Sequence, residues 1–192
     1  NSPWSFSIEQ MRRRLGLCTL VVVNDFTALA MAIPRLSPDQ RRQEGGGEAQ
    51  PRSVVGLIGP GSGLGVSGLI PANDGWVALG AEGGHASFSP RDAREIMVLR
   101  HAARSCGHVS FERLLSGPGL ELIHTALAEN AGAGHSTPVA LRAPEIARRA
   151  LEATDALCIE SLNMFCAILG TAAANLAVTQ GAFGGIFIGG AI

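Results

Sequence analysis

Apolar positions along the chain alternate between the spacing of helices and that of strands. Ser7-Ile8-Glu9-Gln10 has the S-x-x-Q form of a capping box. Ile8, Met11 and Leu15 follow at helical spacing up to Gly16, so a short helix is predicted there. Cys18 to Val23 is a β-branched-rich run that predicts a strand covered on both faces. It ends at Asn24-Asp25, and Phe26 to Ile33 predicts a helix. Val54 to Ile58 and Val66 to Ile70 predict two strands joined across the glycine-rich turn Gly59 to Gly65. Helices are then predicted from Pro90 to about Ser105, over Ser110 to Leu115, Leu120 to Asn130 and Ala143 to Glu152. Thr154-Asp155 caps a long one reaching about Thr179, and Gly185 to Ile188 predicts a last strand leading to Gly189-Gly190.

Two stretches break this alternation. Leu36 to Ser53 turns polar, with Pro38, Pro51 and Gly45-Gly46-Gly47, and is expected to be an exposed, mobile loop. Met164 to Val178 is apolar enough to raise a membrane span. Asn163, Thr171 and Asn175 interrupt it, however, and it falls short of the ~20 clean apolar residues a bilayer needs, so a helix buried in a domain is expected.

With 192 residues, 46% of them hydrophobic and 16% charged, the chain can bury a core and has the size of one large or two small domains. Fifteen basic against sixteen acidic residues leave a formal charge of -1, so no footprint for nucleic acid or an anionic membrane is present, and a small-molecule partner is expected. All fifteen basic residues are arginine. A P-loop lysine, a protein-kinase strand lysine and a Schiff-base lysine are thereby excluded within this stretch. Cys18, Cys106, Cys158 and Cys166 lie far apart without a C-x-x-C pair, and are read as reduced thiols in cytoplasm. The chain begins at Asn1 rather than methionine and stops at Ile192 just after a strand-like run, so both ends are expected to be cut.

Four constellations carry candidate chemistry. Asp25 sits where a buried strand is predicted to end and a helix to begin, the place where α/β sheets gather ligands; it could take a hydroxyl proton. It could equally serve as the helix N-cap, and position alone favours the cap. Gly59-Pro60-Gly61-Ser62-Gly63-Leu64-Gly65 could offer backbone N–H groups and the Ser62 hydroxyl to phosphate oxygens without a lysine. It matches neither G-x-G-x-x-G nor the P-loop form, which makes a NAD-binding Rossmann unit a poor fit and leaves a plain tight hairpin open. Glu82-Gly83-Gly84-His85 sets a carboxylate and an imidazole across two glycines, suited to hydrogen bonding a polyol. No further His or Cys at ligand spacing supports zinc there. Glu112 reads by itself as a solvated helix carboxylate.

Taken together, N-D-F-T-A at Asn24 to Ala28, G-P-G-S-G-L-G at Gly59 to Gly65, E-G-G-H at Glu82 to His85 and S-F-E-R-L-L-S-G-P-G-L at Ser110 to Leu120 closely resemble bacterial glucokinases. The final G-A-F-G-G-I-F-I-G-G, Gly181 to Gly190, looks like that family's adenosine-side strand and turn. The resemblance implies an α/β, actin-like ATPase (ribonuclease H-like) fold, a mixed sheet with flanking helices, incomplete at both ends. Residues 1–34 would end a small domain and residues 35–192 would form a truncated large one. It implies transfer of the γ-phosphoryl group of ATP, with Mg²⁺, to the 6-hydroxyl of glucose in the cytoplasm. Asp25 would be the general base, and Asn24, Glu82, His85 and Glu112 would hold the other hydroxyls. Gly61, Ser62 and Gly63 would cradle the phosphates, and Gly189 and Gly190 would lie near the adenosine. A homodimer is the oligomeric state it suggests.

The family's D-x-G-G-T phosphate loop is absent from these residues, so the stretch alone is expected to be inactive. The cysteine cluster of its zinc-binding subfamily is absent too, and no structural metal is assigned. A related hexose or amino-sugar kinase, and a non-catalytic sugar-responsive regulator of the same fold, remain the alternatives.

Overall fold

The computed structural model describes residues 5–132 and 141–190. The ends of the chain, Asn1 and Ile192, lie outside the described residues. A four-stranded mixed sheet organises the fold: β1 (Val55–Pro60), β2 (Leu64–Ala72), β3 (Gly75–Ala81) and β4 (Ile186–Ile188), in the order β3-β2-β1-β4. β1 and β2 form the expected antiparallel hairpin, registered from Val55 opposite Leu69 to Pro60 opposite Leu64. β4 returns parallel to β1, with Gly56, Leu57 and Ile58 opposite Ile186, Phe187 and Ile188.

The two faces of the hairpin bury different elements, as strand alternation requires. Ile58, Leu64 and Val66 point into the main core. There they meet α3 (Ala93–Ala102), α4 (Phe111–Leu114), α5 (Gly117–Asn130), α6 (Ala143–Leu151) and α7 (Ala156–Gln180). Val55, Leu57 and Leu69 point the other way, onto α2 (Asp25–Ala32), through Ala30 and Ile33 with Phe26 at the edge. Helix α1 (Ile8–Arg14) buries no residue.

Local chemistry sets most boundaries. Asp155 caps α7 by accepting from the Leu157 and Cys158 amides, and Gly181 ends it in the left-handed conformation at φ 60°. Cys158, Ser161, Phe165 and Ile168 bury one stripe of α7 against α5 and α6, as expected of a core helix. By length and composition the same helix would also be long enough to cross a bilayer. All four cysteines are free thiols.

Four expectations need correction. Cys18 to Val23 is extended but is not a strand; Val21, Val22 and Val23 are 71%, 50% and 53% exposed. A strand exists only through ladder bonds to a neighbour, and no strand among the described residues runs beside this one. β3 is an additional strand: Asn73, at φ 46°, turns the chain so that Gly75–Ala81 pairs with β2. Helix α3 starts at Ala93 rather than Pro90, because Asp92 accepts the Arg94 and Glu95 amides while the buried Glu95 carboxylate holds the Arg91 amide and guanidinium. Helix α5 starts at Gly117, three residues before the predicted Leu120, because Ser116 accepts the Gly119 amide. The polar stretch after Leu36 is exposed as expected; its far end is tied down by a bond from the Gln50 amide to the Phe183 carbonyl.

Candidate active site

The β1–β2 tip is held from several sides. The Gly61 amide turns inward to the Gly63 carbonyl (2.8 Å), and the Gly61 carbonyl accepts the Gly117 amide at the start of α5 (3.0 Å). The Leu64 amide donates to Glu112 Oε2 at 3.1 Å. The amides of Ser62 and Gly63 make no hydrogen bond among the described residues. The tip thus presents two N–H donors without a partner among the described residues and an exposed hydroxyl, groups that can donate to anion oxygens.

Strands β1 and β4, being parallel, end side by side at this tip. The Gly189 amide donates to the Ile58 carbonyl (3.0 Å), and Gly190, at φ 141°, packs its backbone on Pro60. Carboxyl ends of neighbouring parallel strands are where open α/β sheets leave a ligand crevice. Gly61, Ser62, Gly63, Gly189 and Gly190 are therefore brought to one edge of the sheet.

Asp25 approaches from the α2 face. Asn24, not Asp25, caps α2: its side chain accepts the Phe26 and Thr27 amides at 2.8 and 3.4 Å. Asp25 is left as the first helical residue, exposed, with Oδ1 accepting only the Phe26 amide (2.8 Å) among the described residues. The cap reading of Asp25 thus falls to its neighbour. What fixes this corner is Phe26, whose ring lies on the cross-strand pair Gly59 and Gly65, where any side chain would collide with it.

Glu82, His85 and Glu112 approach from the opposite face. The turn Gly83–His85 backs directly onto β2; a Cβ on Gly84 would strike the Leu64 carbonyl, so this approach requires the glycine. His85 Nε2 stands 3.9 Å from Glu82 Oε2, and His85 Nδ1 3.7 Å from Glu112 Oε1. Glu112 is held by α4, whose Phe111 and Leu114 are in the core and whose cap, Ser110, accepts the Arg113 amide. The three residues so placed form one polar cluster at the hairpin, with Glu82 and His85 largely exposed and Glu112 one-third exposed. Asn24 and Asp25 make no hydrogen bond or ion pair with it among the described residues. Two carboxylates, an imidazole and, across the hairpin, an amide and a free carboxylate can accept and donate to several hydroxyls at once.

Neither of the two clefts along the helices contains Asp25 or Glu112. One, of about 410 Å³, lies between α7 and the sheet, lined by Leu64, Val66, Gly83, Ser87 and Asn175 among others. The other, of about 310 Å³, lies between α3 and α5 around His101 and Glu129. Phe26, the Leu64 amide and the Gly117 amide were not singled out by sequence reasoning. The signal for Phe26 is present in Gly59 and Gly65, which leave a side-chain-free patch on one face of the hairpin that a large neighbour can fill.

Comparison with known proteins bears on this arrangement. A protein-family model described as glucokinase matches residues 1–192. The chain is similar to the bifunctional protein glk of Paraburkholderia xenovorans, 57% identical over 193 residues, covering 100% of this chain and 30% of that protein. It is likewise similar to the glucokinase of Chromobacterium violaceum, 54% identical over 192 residues, covering 100% of this chain and 54% of that enzyme. The solved glucokinase from an Antarctic psychrotroph superposes with a TM-score of 0.86 at 35% identity, over 97% of this chain and 57% of that one. The chain spans less than two thirds of each of these proteins. Its mixed sheet and flanking helices are the actin-like ATPase fold. With a family model matched along its whole length and relatives of more than 50% identity, the chain belongs to the glucokinase family.

Proposed function

We propose that these residues form the sugar and phosphate side of an ATP-dependent glucose 6-phosphotransferase. The observation that carries this reading is the convergence of Glu82, His85 and Glu112 on the same glycine hairpin that Asp25 flanks. Asp25 accepts the proton of the glucose 6-hydroxyl; the oxygen bonds to the γ-phosphorus of ATP, and the bond to the β,γ-bridging oxygen breaks, its electron pair leaving with ADP. Asn24, Glu82, His85 and Glu112 hold the remaining hydroxyls, so the 6-hydroxyl is oriented before it reacts.

The free Ser62 and Gly63 amides, with the Ser62 hydroxyl and Gly61, fit the phosphates of ATP, and Gly189 and Gly190 fit the nucleoside side. Mg²⁺ arriving with ATP would supply, at the phosphates, the charge neutralisation that no lysine in this stretch could provide. Phosphoryl transfer depends mainly on positioning and charge, so a general base worth about 10²–10⁴-fold is one component among several.

Residues 1–34 are assigned to the end of a small domain and residues 35–192 to a truncated large one, with α2 as the packed seam between them; in the whole protein the two domains would enclose sugar and nucleotide and exclude water. The exposure of Asp25, Glu82 and His85 supports a site completed by further chain, and the 192-residue stretch alone is inactive in this reading. The enzyme works in the cytoplasm on soluble glucose and ATP.

The test is a coupled phosphorylation assay on the full-length gene product with glucose, mannose, fructose and N-acetylglucosamine side by side. The reading requires the highest kcat/KM on glucose. A preference for N-acetylglucosamine would reassign the protein to the amino-sugar kinases, and glucose binding without turnover would make it a regulator.

A further inference from the structure

Glu112 touches both halves of this site through one carboxylate. Oε2 accepts the Leu64 amide at 3.1 Å, from the residue that closes the hairpin tip. Oε1 faces His85 Nδ1 at 3.7 Å. Its backbone cannot follow either partner, because Phe111 and Leu114 on either side are 5% and 0% exposed and Ser110 caps the turn. Its head can rotate, being one-third exposed. A Cβ on Gly63 would stand 2.6 Å from Oε2, so the tip and the carboxylate are already in close contact.

We infer that Glu112 couples the two ligands: the conformation of the phosphate hairpin sets the affinity of the sugar cluster, through the Leu64 amide. This rests on the assignment of the hairpin to phosphate and of the cluster to sugar proposed above. Phosphate oxygens on the Ser62 and Gly63 amides fix the tip. A fixed tip holds the Leu64 amide on Oε2, and Oε2 so held presents Oε1 toward the space beside His85 where the hydroxyls are to bind. The sugar then meets a carboxylate that has already lost its rotational freedom, and binds more tightly. By reciprocity the sugar tightens nucleotide binding by the same factor.

The link can be altered from its hairpin side at Gly63, which itself holds no sugar hydroxyl and acts on the cluster only through Glu112. Gly63 does not have a positive φ, so Gly63→Ala is compatible with its backbone, yet the new methyl pushes Oε2 off the Leu64 amide. Glucose binding to the full-length gene product is measured by titration calorimetry, alone and with saturating Mg²⁺ and a non-hydrolysable ATP analogue. The analogue is expected to lower the wild-type glucose Kd about 5-fold or more. Gly63→Ala is expected to raise the glucose Kd about 3-fold or more with no nucleotide present, and to abolish the gain from the analogue. Glu112→Gln, which keeps one acceptor oxygen instead of two, should lose the gain as well. Thermal melts establish that both variants are folded. Wild-type glucose affinity in Gly63→Ala, with the gain intact, overturns the link while leaving the kinase reading in place. Absence of glucose binding by the wild type overturns both.

Discussion

The position of Asp25 depends on a residue with no chemistry of its own, and that dependence can be tested by adding one methyl group. In Gly65→Ala the new Cβ would stand about 1 Å or more too close to three carbons of the Phe26 ring for ordinary contact. At Gly65 the hairpin is the more rigid partner, since Gly65 is paired to Gly59 and Val66 beside it is buried. Relief therefore comes from the ring, and with it the first turn of α2. The expected stability cost is that of an overpacked site, about 1–3 kcal/mol. Asp25, one residue before Phe26, moves by a comparable distance, and a misplacement of about 1 Å costs on the order of 10²-fold in rate. A coupled glucose-6-phosphate assay on the full-length gene product should show kcat down by about that factor with KM changed much less. Gly80→Ala is the control, because a Cβ there meets nothing within 4 Å. Adding Phe26→Leu to Gly65→Ala should recover part of the lost rate by making room for the methyl. Wild-type kcat in Gly65→Ala, whether or not the melting temperature falls, would refute the idea that the ring positions Asp25.

Two further expectations concern the helical core. His124 is 7% exposed on α5, and burial pushes its pKa below the usual 6.5 despite the opposing charge of Asp155. The folded state therefore favours neutral imidazole while the unfolded chain takes up the proton, so this contribution to stability is present above pH 6.5 and is lost as pH falls from there through the lower folded-state value. The difference in melting temperature between about pH 7.5 and about pH 5.5 should be smaller in His124→Gln than in the wild type; an equal difference would contradict this. Ile123, fully buried on the same helix, should cost about 2–5 kcal/mol on substitution by alanine in urea denaturation, and a loss below about 1 kcal/mol would place it outside the packed core.

Much of the architecture was legible because its signals are local. Ser7, Ser110 and Asp155 cap helices by bonds to amides two or three residues away, and the glycine run between two apolar stretches marks the hairpin. Pairing is not local. Val21-Val22-Val23 carries every property of a buried strand and still lies extended and exposed, since nothing in a run of residues says whether a neighbour stands beside it. β3 was overlooked for the converse reason: Gly75–Ala81 holds two glycines and two alanines in seven residues, and only β2 lying against it makes it a strand.

The same division runs through the site. The motifs pointed to Asp25, Glu82, His85 and Glu112 one at a time, whereas the bond from the Leu64 amide to Glu112 joins residues 48 apart and could not be read from spacing. Nor could the exchange of roles at Asn24-Asp25. Both residues are good caps by type, and only the geometry gives the cap to Asn24 and leaves the Asp25 carboxylate with the Phe26 amide as its one donor among the described residues.

The most direct test of the central claim is the turnover of Asp25→Asn in the full-length gene product, a near-isosteric change that removes the base and leaves the Asn24 cap in place. The proposed role predicts a loss in kcat of about 10²-fold or more, with glucose affinity by calorimetry close to that of the wild type. Turnover at the wild-type rate in that variant would contradict it.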